Sequence, residues 1–445
     1  MDPVLLSRIQ FGLMIGFHFI FAPLTIGLSW LVVAIITHNH KTGDTAYGQL
    51  ARFWVRILGL TFAVGVATGI AMEFQFGTNW AAYSRFVGDI FGAPLAAEGI
   101  FAFFLESVFL GVLLFGWERV SPRAHLLAAY LVAIGATLSA FWILVANSWM
   151  QTPAGYTMRH GRAELTDFAA AVFNASILPR LLHTVTGALI TGALFMLGIT
   201  AWFLLKGKHP ATSRHMLTLS LIVAFITSVA QLGFGHYHAI QVTYTQPTKL
   251  AAFEGLFQTQ THAPLLLFGF IDGQHETVHY ALRIPSGLSL LVSAHADTQV
   301  TGLSEFPRSE WPPLALTFYP FHLMFYLGLF FIGFTALGVL LLWLRRLHQA
   351  RWYLYACWLL IPLPFIANEL GWLTTEVGRQ PWIVYRVQLT RDAISASVPA
   401  EHILLTLIVF GLIYTGLFAF WVGFLRREVR RGPEEAAATA QEVAQ

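Results

Sequence analysis

The sequence predicts an all-α integral membrane protein, a bundle of nine transmembrane helices with the N-terminus outside and the C-terminus cytoplasmic. Three observations carry this. Of 445 residues, 56% are hydrophobic and only 11% charged, less than half the roughly 25% charged share of a soluble domain. Apolar runs of about 20 residues or more, long enough to cross a bilayer, recur along the chain. Lys and Arg gather in alternate short loops and at the end of the chain, which marks that side as cytoplasmic.

The runs read as spans at 11–37, 53–76, 95–117, 124–147, 180–205, 215–238, 320–344, 353–373 and 402–425. The opening MDPVLLSRIQ has no basic start and no small-residue cleavage site, so the first run reads as a retained span rather than a signal peptide. Lys41, Arg52, Arg119, Lys206, Arg345 and Arg426 fall on one side and the sparser charges on the other. This divides the chain into six spans over 1–238, an outer loop over 239–319, three spans over 320–431 and a flexible cytoplasmic tail over 432–445. A loop as long as 239–319 is expected to be functional. The one cysteine, Cys357, excludes an intrachain disulfide and a cysteine-based metal site. No strand precedes a phosphate-cradling Gly-rich loop, so neither a nucleotide-driven pump nor a nucleic-acid partner is expected.

Ionisable residues in hydrocarbon are costly and mark sites or pathways. His18, Glu98, His183 and Met324 lie near the outer starts of four spans. Glu73 ends the second span, and Glu376 follows the eighth. Six helix ends thus bring possible ligands or acids to one depth. On a regular helix Glu106 would lie roughly 12 Å deeper than Glu98 and about 80° around. With Glu118 at the cytoplasmic end, the three acids form a broken ladder for protons, with hydroxyls such as that of Ser139 to help bridge the gaps. Imidazole, thioether and carboxylate without cysteine suit haem iron: a His/Met pair gives an electron-transferring haem, and a single protein ligand leaves iron open to oxygen. Taken singly, each residue has a plainer reading. His18 could be hydrogen-bonded within the bundle, Met324 could be packing, Glu98 and Glu106 could be the proton sites of a haem-free transporter, and Glu376 with Arg379 could be an interfacial ion pair. Trp149, Trp372 and Trp382 fit an aromatic belt. His236 and His238 read as interfacial.

Taken together the motifs are specific. LSRIQFGLMIGFHFIFAPLTIG (7–27), GVATGIAMEFQFGTNW (65–80), GDIFGAPLAAEGIFAFFLES (88–107), SAFWILVANSWMQTP (139–153), LLHTVTGALITGALF (181–195), TKLAAFE (248–254) and GWLTTEVGRQPW (371–382) occur in order. In them the chain resembles subunit I of the cytochrome bd-type quinol oxidases over nearly its whole length. The resemblance implies electron flow from a membrane quinol to dioxygen, which becomes water, in the bacterial cytoplasmic membrane. It implies a low-spin haem b, a high-spin haem b, and haem d or a third haem b. Carried over by position, His183 and Met324 are the low-spin axial pair. His18 and Glu376 each hold a high-spin haem, Glu98 is a haem-site acid that is ligand or proton donor, and Glu106 lies in the proton path. Lys249 and Glu254 match the quinol-oxidising Q-loop, and Arg379, with Trp372 and Gln380 of the same motif, matches the haem-propionate side. The implied partners are a second subunit, a single-helix small subunit in some members, and the lipid bilayer. Two features depart from many members: His322 stands two residues before Met324 where those have Arg, and the outer loop lacks a long insertion. Both resemble the cyanide-insensitive branch and leave the occupant of the haem d site open. His322 is then a competing ligand.

Overall fold

The computed structural model describes residues 2–444. The side chains of 210–211 and 434–444 are not among what it describes, so the expected tail over 432–445 lies almost wholly outside the described residues. Among these residues nine helices are long and apolar enough to cross a membrane: Pro3–Thr42, Thr45–Gly77, Ala81–Phe115, Pro122–Gln151, Ile177–Leu205, Thr212–Thr245, Leu314–Trp343, Arg351–Val377 and Ala400–Pro433. Each predicted span is present, and most run further than the apolar run itself. Hydropathy marks only the segment that must lie in lipid. Helical hydrogen bonding continues into polar flanks where caps permit. Asp2 accepts from the Val4 amide (2.9 Å), Asp44 from the Ala46 amide (2.9 Å) and Ser121 from the Ala124 amide (3.3 Å), each satisfying an orphan N–H of a helix start.

The first and fifth spans form the centre, with 72% and 78% of their apolar windows buried. They can touch backbone to backbone because Gly27 faces Ala188 and Gly192: a methyl on Gly27 would lie 2.8 Å from the Gly192 Cα. Small residues at a crossing are the usual route to close helix packing in lipid. Around this pair packs one large apolar core including Phe21, Trp54, Phe195 and Tyr353.

Two spans are interrupted in mid-course. The third is α-helical over Ala81–Ala97, π-helical over Glu98–Phe103 and α-helical again over Phe104–Phe115. The wider i→i+5 turns of the π segment cancel the 100°-per-residue reckoning, so the expected 80° offset between Glu98 and Glu106 does not apply. The eighth is two helices, Arg351–Leu359 and Leu363–Val377, broken at 360–362. Pro362 and Pro364 cannot continue a hydrogen-bond ladder, which accounts for the break. Glu376 therefore lies in the last turn of a helix rather than after it.

The long loop is shorter than 239–319, because the sixth span continues to Thr245 and the seventh begins at Leu314. It is folded: a helix Pro247–Glu254, a hairpin pairing Leu265–Asp272 with Thr277–Ile284, and a helix Gly287–Ser293. Leu250, Phe253, Leu256 and Leu288 give it its own core, closed by Phe318 of the seventh span.

Candidate functional site

One cavity of about 1610 Å³ runs from the long-loop end into the bundle. Its walls include His18, Glu98, Glu106, Ser139, His183, Lys249, Glu254, Met324, Trp372, Glu376, Arg379 and Gln380. Every predicted site residue is thus brought to one cavity, save Glu118. That side chain, expected at the cytoplasmic end of the third span, stands about half exposed just past that helix, 3.6 Å from Arg52, and lies outside the cavity wall.

His18 projects from the first span, and Thr68 of the second orients it. His18 Nδ1 lies 3.0 Å from Thr68 Oγ1. That hydroxyl hydrogen is already directed to the Val64 and Gly65 carbonyls, both at 2.9 Å. Thr68 can then only accept, so Nδ1 carries the hydrogen and Nε2 keeps a free lone pair. Gly69 makes the room: a methyl there would sit 3.2 Å from His18 Cε1.

His183 and Met324 line the same cavity from the fifth and seventh spans. Gln231 Nε2 lies 3.2 Å from His183 Nδ1 and 3.3 Å from Nε2. Met324 Sδ occupies the space left by Gly371, 2.8 Å from where a methyl would be. The competing His322 lies against backbone carbonyls, with Nδ1 3.0 Å from that of Phe318 and Nε2 3.3 Å from that of Leu266. His236 and His238, expected at the membrane interface, instead line the cavity. The His238 ring centre is 5.6 Å from that of His183.

Ser139 of the fourth span donates to Glu98 Oε1 at 2.8 Å. Gly135, one turn away on the same helix, lies against the Glu106 backbone, where a methyl would be 3.1 Å from the Glu106 nitrogen. The third span thus meets the fourth at two points four residues apart, through the Glu98 carboxyl and through the Glu106 backbone. Glu106 is buried and its Oε1 has no partner.

Glu376 has the densest surroundings. Asn147 Nδ2 (3.0 Å) and Gln151 Nε2 (3.3 Å) both donate to its Oε1, and Arg379 Nη2 donates to its Oε2 at 2.5 Å. Behind the amides stand two further buried cations: Arg180 Nη1 donates to Asn147 Oδ1 (3.1 Å) and Lys249 Nζ to Gln151 Oε1 (2.6 Å). Gln380 donates to the Glu376 carbonyl (3.4 Å) and accepts from Thr390 (2.8 Å), which fixes the exit of the helix. Trp372 reaches to 4.0 Å from where a methyl on Gly12 would be, wedged between the first and eighth spans.

Two guanidinium cations, Arg379 and Arg180, against one carboxylate leave positive charge uncompensated in a buried site, which is costly. Arg379 Nε and Nη1 and Arg180 Nε have no acceptor. These orphan donors fit an anionic group such as a pair of propionates. Among the described residues no three His, Cys, Asp or Glu side chains converge to hold a bare metal ion. Ligands offered singly or in pairs suit iron whose other positions are filled by a porphyrin. A volume well above the ~300–1,000 Å³ of an ordinary small-molecule pocket has room for more than one such group.

In the loop, Lys249 and Glu254 are both buried on the helix Pro247–Glu254. Burial, with Arg180 and Arg379 nearby, holds the Lys249 ammonium well below its ordinary value. Burial raises the Glu254 carboxyl to about 8, and its Oε2 has no partner. Sequence reasoning missed Thr68, Asn147, Gln151 and Arg180. The available signal was two amides four residues apart in SAFWILVANSWMQTP and a lone arginine opening the fifth span.

A family model described as cytochrome bd terminal oxidase subunit I matches residues 6–433. The chain is 39% identical over 447 residues to cytochrome bd ubiquinol oxidase subunit 1 of Bacillus subtilis, covering 98% of this chain and 95% of that one. It is 35% identical to cytochrome bd-II ubiquinol oxidase subunit 1 of Escherichia coli, covering 97% of each. The bd oxidase structure from Geobacillus thermodenitrificans superposes with a TM-score of 0.90 at 36% identity, over 97% of this chain and 99% of that one.

Proposed function

The chain belongs to the family of cytochrome bd terminal oxidase subunit I, a multi-pass membrane quinol:oxygen oxidoreductase of a haem-containing family, and from that premise we propose how its residues divide the work. His183 and Met324 hold a low-spin haem b. His18 holds one high-spin haem and Glu376 the other, one being haem b and the other haem d or a third haem b. Haem supplies the one-electron and oxygen chemistry when bound. Membrane quinol is oxidised at the long-loop end, facing outward from a bacterial cytoplasmic membrane, so that its protons leave on that side. Residues 246–313 then serve as the Q-loop, with Lys249 and Glu254 meeting the quinol head group. Glu98 and Glu106, with the Ser139 hydroxyl, carry protons inward from the arginine-rich cytoplasmic end. Arg379 and Arg180 neutralise propionates. Because the relatives are named subunit 1, a partner subunit is implied; a small single-helix subunit would complete the assembly.

The single observation that best supports this reading is the buried surplus of cation around Glu376, with guanidinium N–H groups lacking acceptors beside a cavity lined by His18, His183 and Met324. A haem-free proton-coupled transporter gives those arginines nothing to bind. The optical spectrum of the purified protein tests the reading. A coloured protein with reduced low-spin haem b absorption is expected, and a far-red reduced band would place haem d in the third site. A colourless protein that assembles normally overturns it.

A further inference from the structure

The last turn of the fourth span presents Asn147 and Gln151, four residues apart and on one face. Each amide lies between a cation and the same carboxylate oxygen. Asn147 takes Arg180 on its oxygen and gives its N–H to Glu376 Oε1. Gln151 takes Lys249 and gives to the same atom. Gln151 is 1% exposed and does not itself line the cavity. Its backbone carbonyl accepts from Gln246 Nε2 at 2.9 Å, at the joint between the sixth span and the loop helix that carries Lys249. An amide with its oxygen on an ammonium and its nitrogen on a carboxylate cannot flip without turning both contacts repulsive.

We propose that Gln151 is a positioning residue that joins the quinol site to the Glu376 site: its side-chain oxygen sets where the Lys249 amino group stands in the cavity, and its N–H steadies Glu376. The inference rests on the assignment of Lys249 to quinol binding. It goes further, because nothing in that assignment requires a residue outside the cavity to decide quinol affinity. The Lys249 amino group has 2.6 Å contact with Gln151 and sits on a helix otherwise tied by backbone bonds to Gln246. Its stem packs against Gly378, and Gln151 is the side chain that accepts from the amino group.

A double-mutant cycle on the assembled oxidase tests this, read as quinol KM and kcat separately, with haem content as the assembly check. A hydrogen bond to a charged group corresponds to roughly a 10- to 100-fold change. Gln151→Met should therefore raise KM by about that factor, with kcat changed far less. Lys249→Met should raise KM similarly. The double variant should be no worse than Lys249→Met alone, because Gln151 acts through Lys249. Gln151→Glu keeps an acceptor for Lys249 and should hold KM nearer normal than Gln151→Met, while the carboxylate it sets against Glu376 shows in kcat and haem content. Multiplying effects in the double variant overturn the inference. So does a Gln151→Glu protein as impaired in KM as Gln151→Met, or a Gln151→Met protein that loses kcat and haem without change in KM, which would mark a structural role. If Lys249→Met itself leaves KM unchanged, it is the quinol assignment that fails, a result distinct from the others. Should Gln151→Met not assemble, Gln151→Glu against wild type still decides.

Discussion

Removing one carboxyl, Glu254→Gln, should erase a limb of the pH profile. Glu254 ends the loop helix, buried, with one oxygen unpartnered. Burial lifts its carboxyl from the ordinary 4.5 to about 8, on the order of 5 kcal/mol against ionisation. At pH 7 about a tenth of the chains carry the carboxylate, and at pH 9 about nine tenths. If the carboxylate accepts a proton from quinol, kcat/KM should rise up to about tenfold across that interval. The Gln variant should be flat and low. The assay is quinol-dependent oxygen uptake from pH 6 to 9.5, corrected for non-enzymatic quinol oxidation. Stability should follow with the opposite sense. Between 4.5 and about 8 the native protein keeps a neutral carboxyl that the unfolded chain would ionise, so native stability falls as pH rises through that window. Heat inactivation of the wild type should accelerate with pH more than that of the variant. A Gln variant retaining the same rise in kcat/KM around pH 8 would refute the reasoning.

Other outcomes follow from single contacts. His18→Ala should lower the haem content by one per chain while leaving the low-spin signal of the His183 and Met324 site intact, as read by the pyridine haemochrome assay and difference spectra. Gly371→Val would fill the space now held by the Met324 thioether and should shift or abolish the low-spin band without altering either ligand. Glu106→Gln removes a buried carboxyl and, on the proposed proton route, should slow turnover by about 100-fold or more, with quinol KM little changed; unaltered turnover and charge separation would take Glu106 off that route. Gly27→Leu would drive a side chain into Ala188 and Gly192 and should cost about 1–3 kcal/mol, seen as a lower midpoint of thermal aggregation in detergent. Gly65→Ala, where a methyl would meet Phe21 at an ordinary 3.5 Å, should be tolerated.

The spans were legible because lipid imposes one severe rule, that backbone polar groups be satisfied within the segment. The same rule made His18, Glu98, His183 and Glu376 conspicuous, and all four meet in one cavity. The irregularities were not legible. A π segment at Glu98–Phe103 and a break at 360–362 keep most of the helical bonds, so they leave the apolar pattern almost unchanged. The second tier of the site was hidden for another reason. Asn147 and Gln151 look like ordinary amides in a membrane helix, able to bond to any neighbour. Only the fold shows that Arg180 and Lys249, from distant parts of the chain, stand behind them. Glu118 was legible as a residue of the cytoplasmic end: its helix stops at Phe115 and the turn that follows sets it beside Arg52.

The glycine crossing of the first and fifth spans has a consequence for the whole oxidase. Gly27 lies nine residues past His18, and Gly192 nine residues past His183. The two helices run in the same direction, so both imidazoles sit roughly 13 Å along their arms from a shared fulcrum. The opening between the arms is then set by the crossing and by any bend at Pro23, which lies between His18 and Gly27. Loops can lengthen, the quinol-facing substructure can diverge and the partner subunit can change, and the two histidines keep their spacing. The protein sets the distance between these two cavity-lining histidines like a pair of compasses held at the hinge.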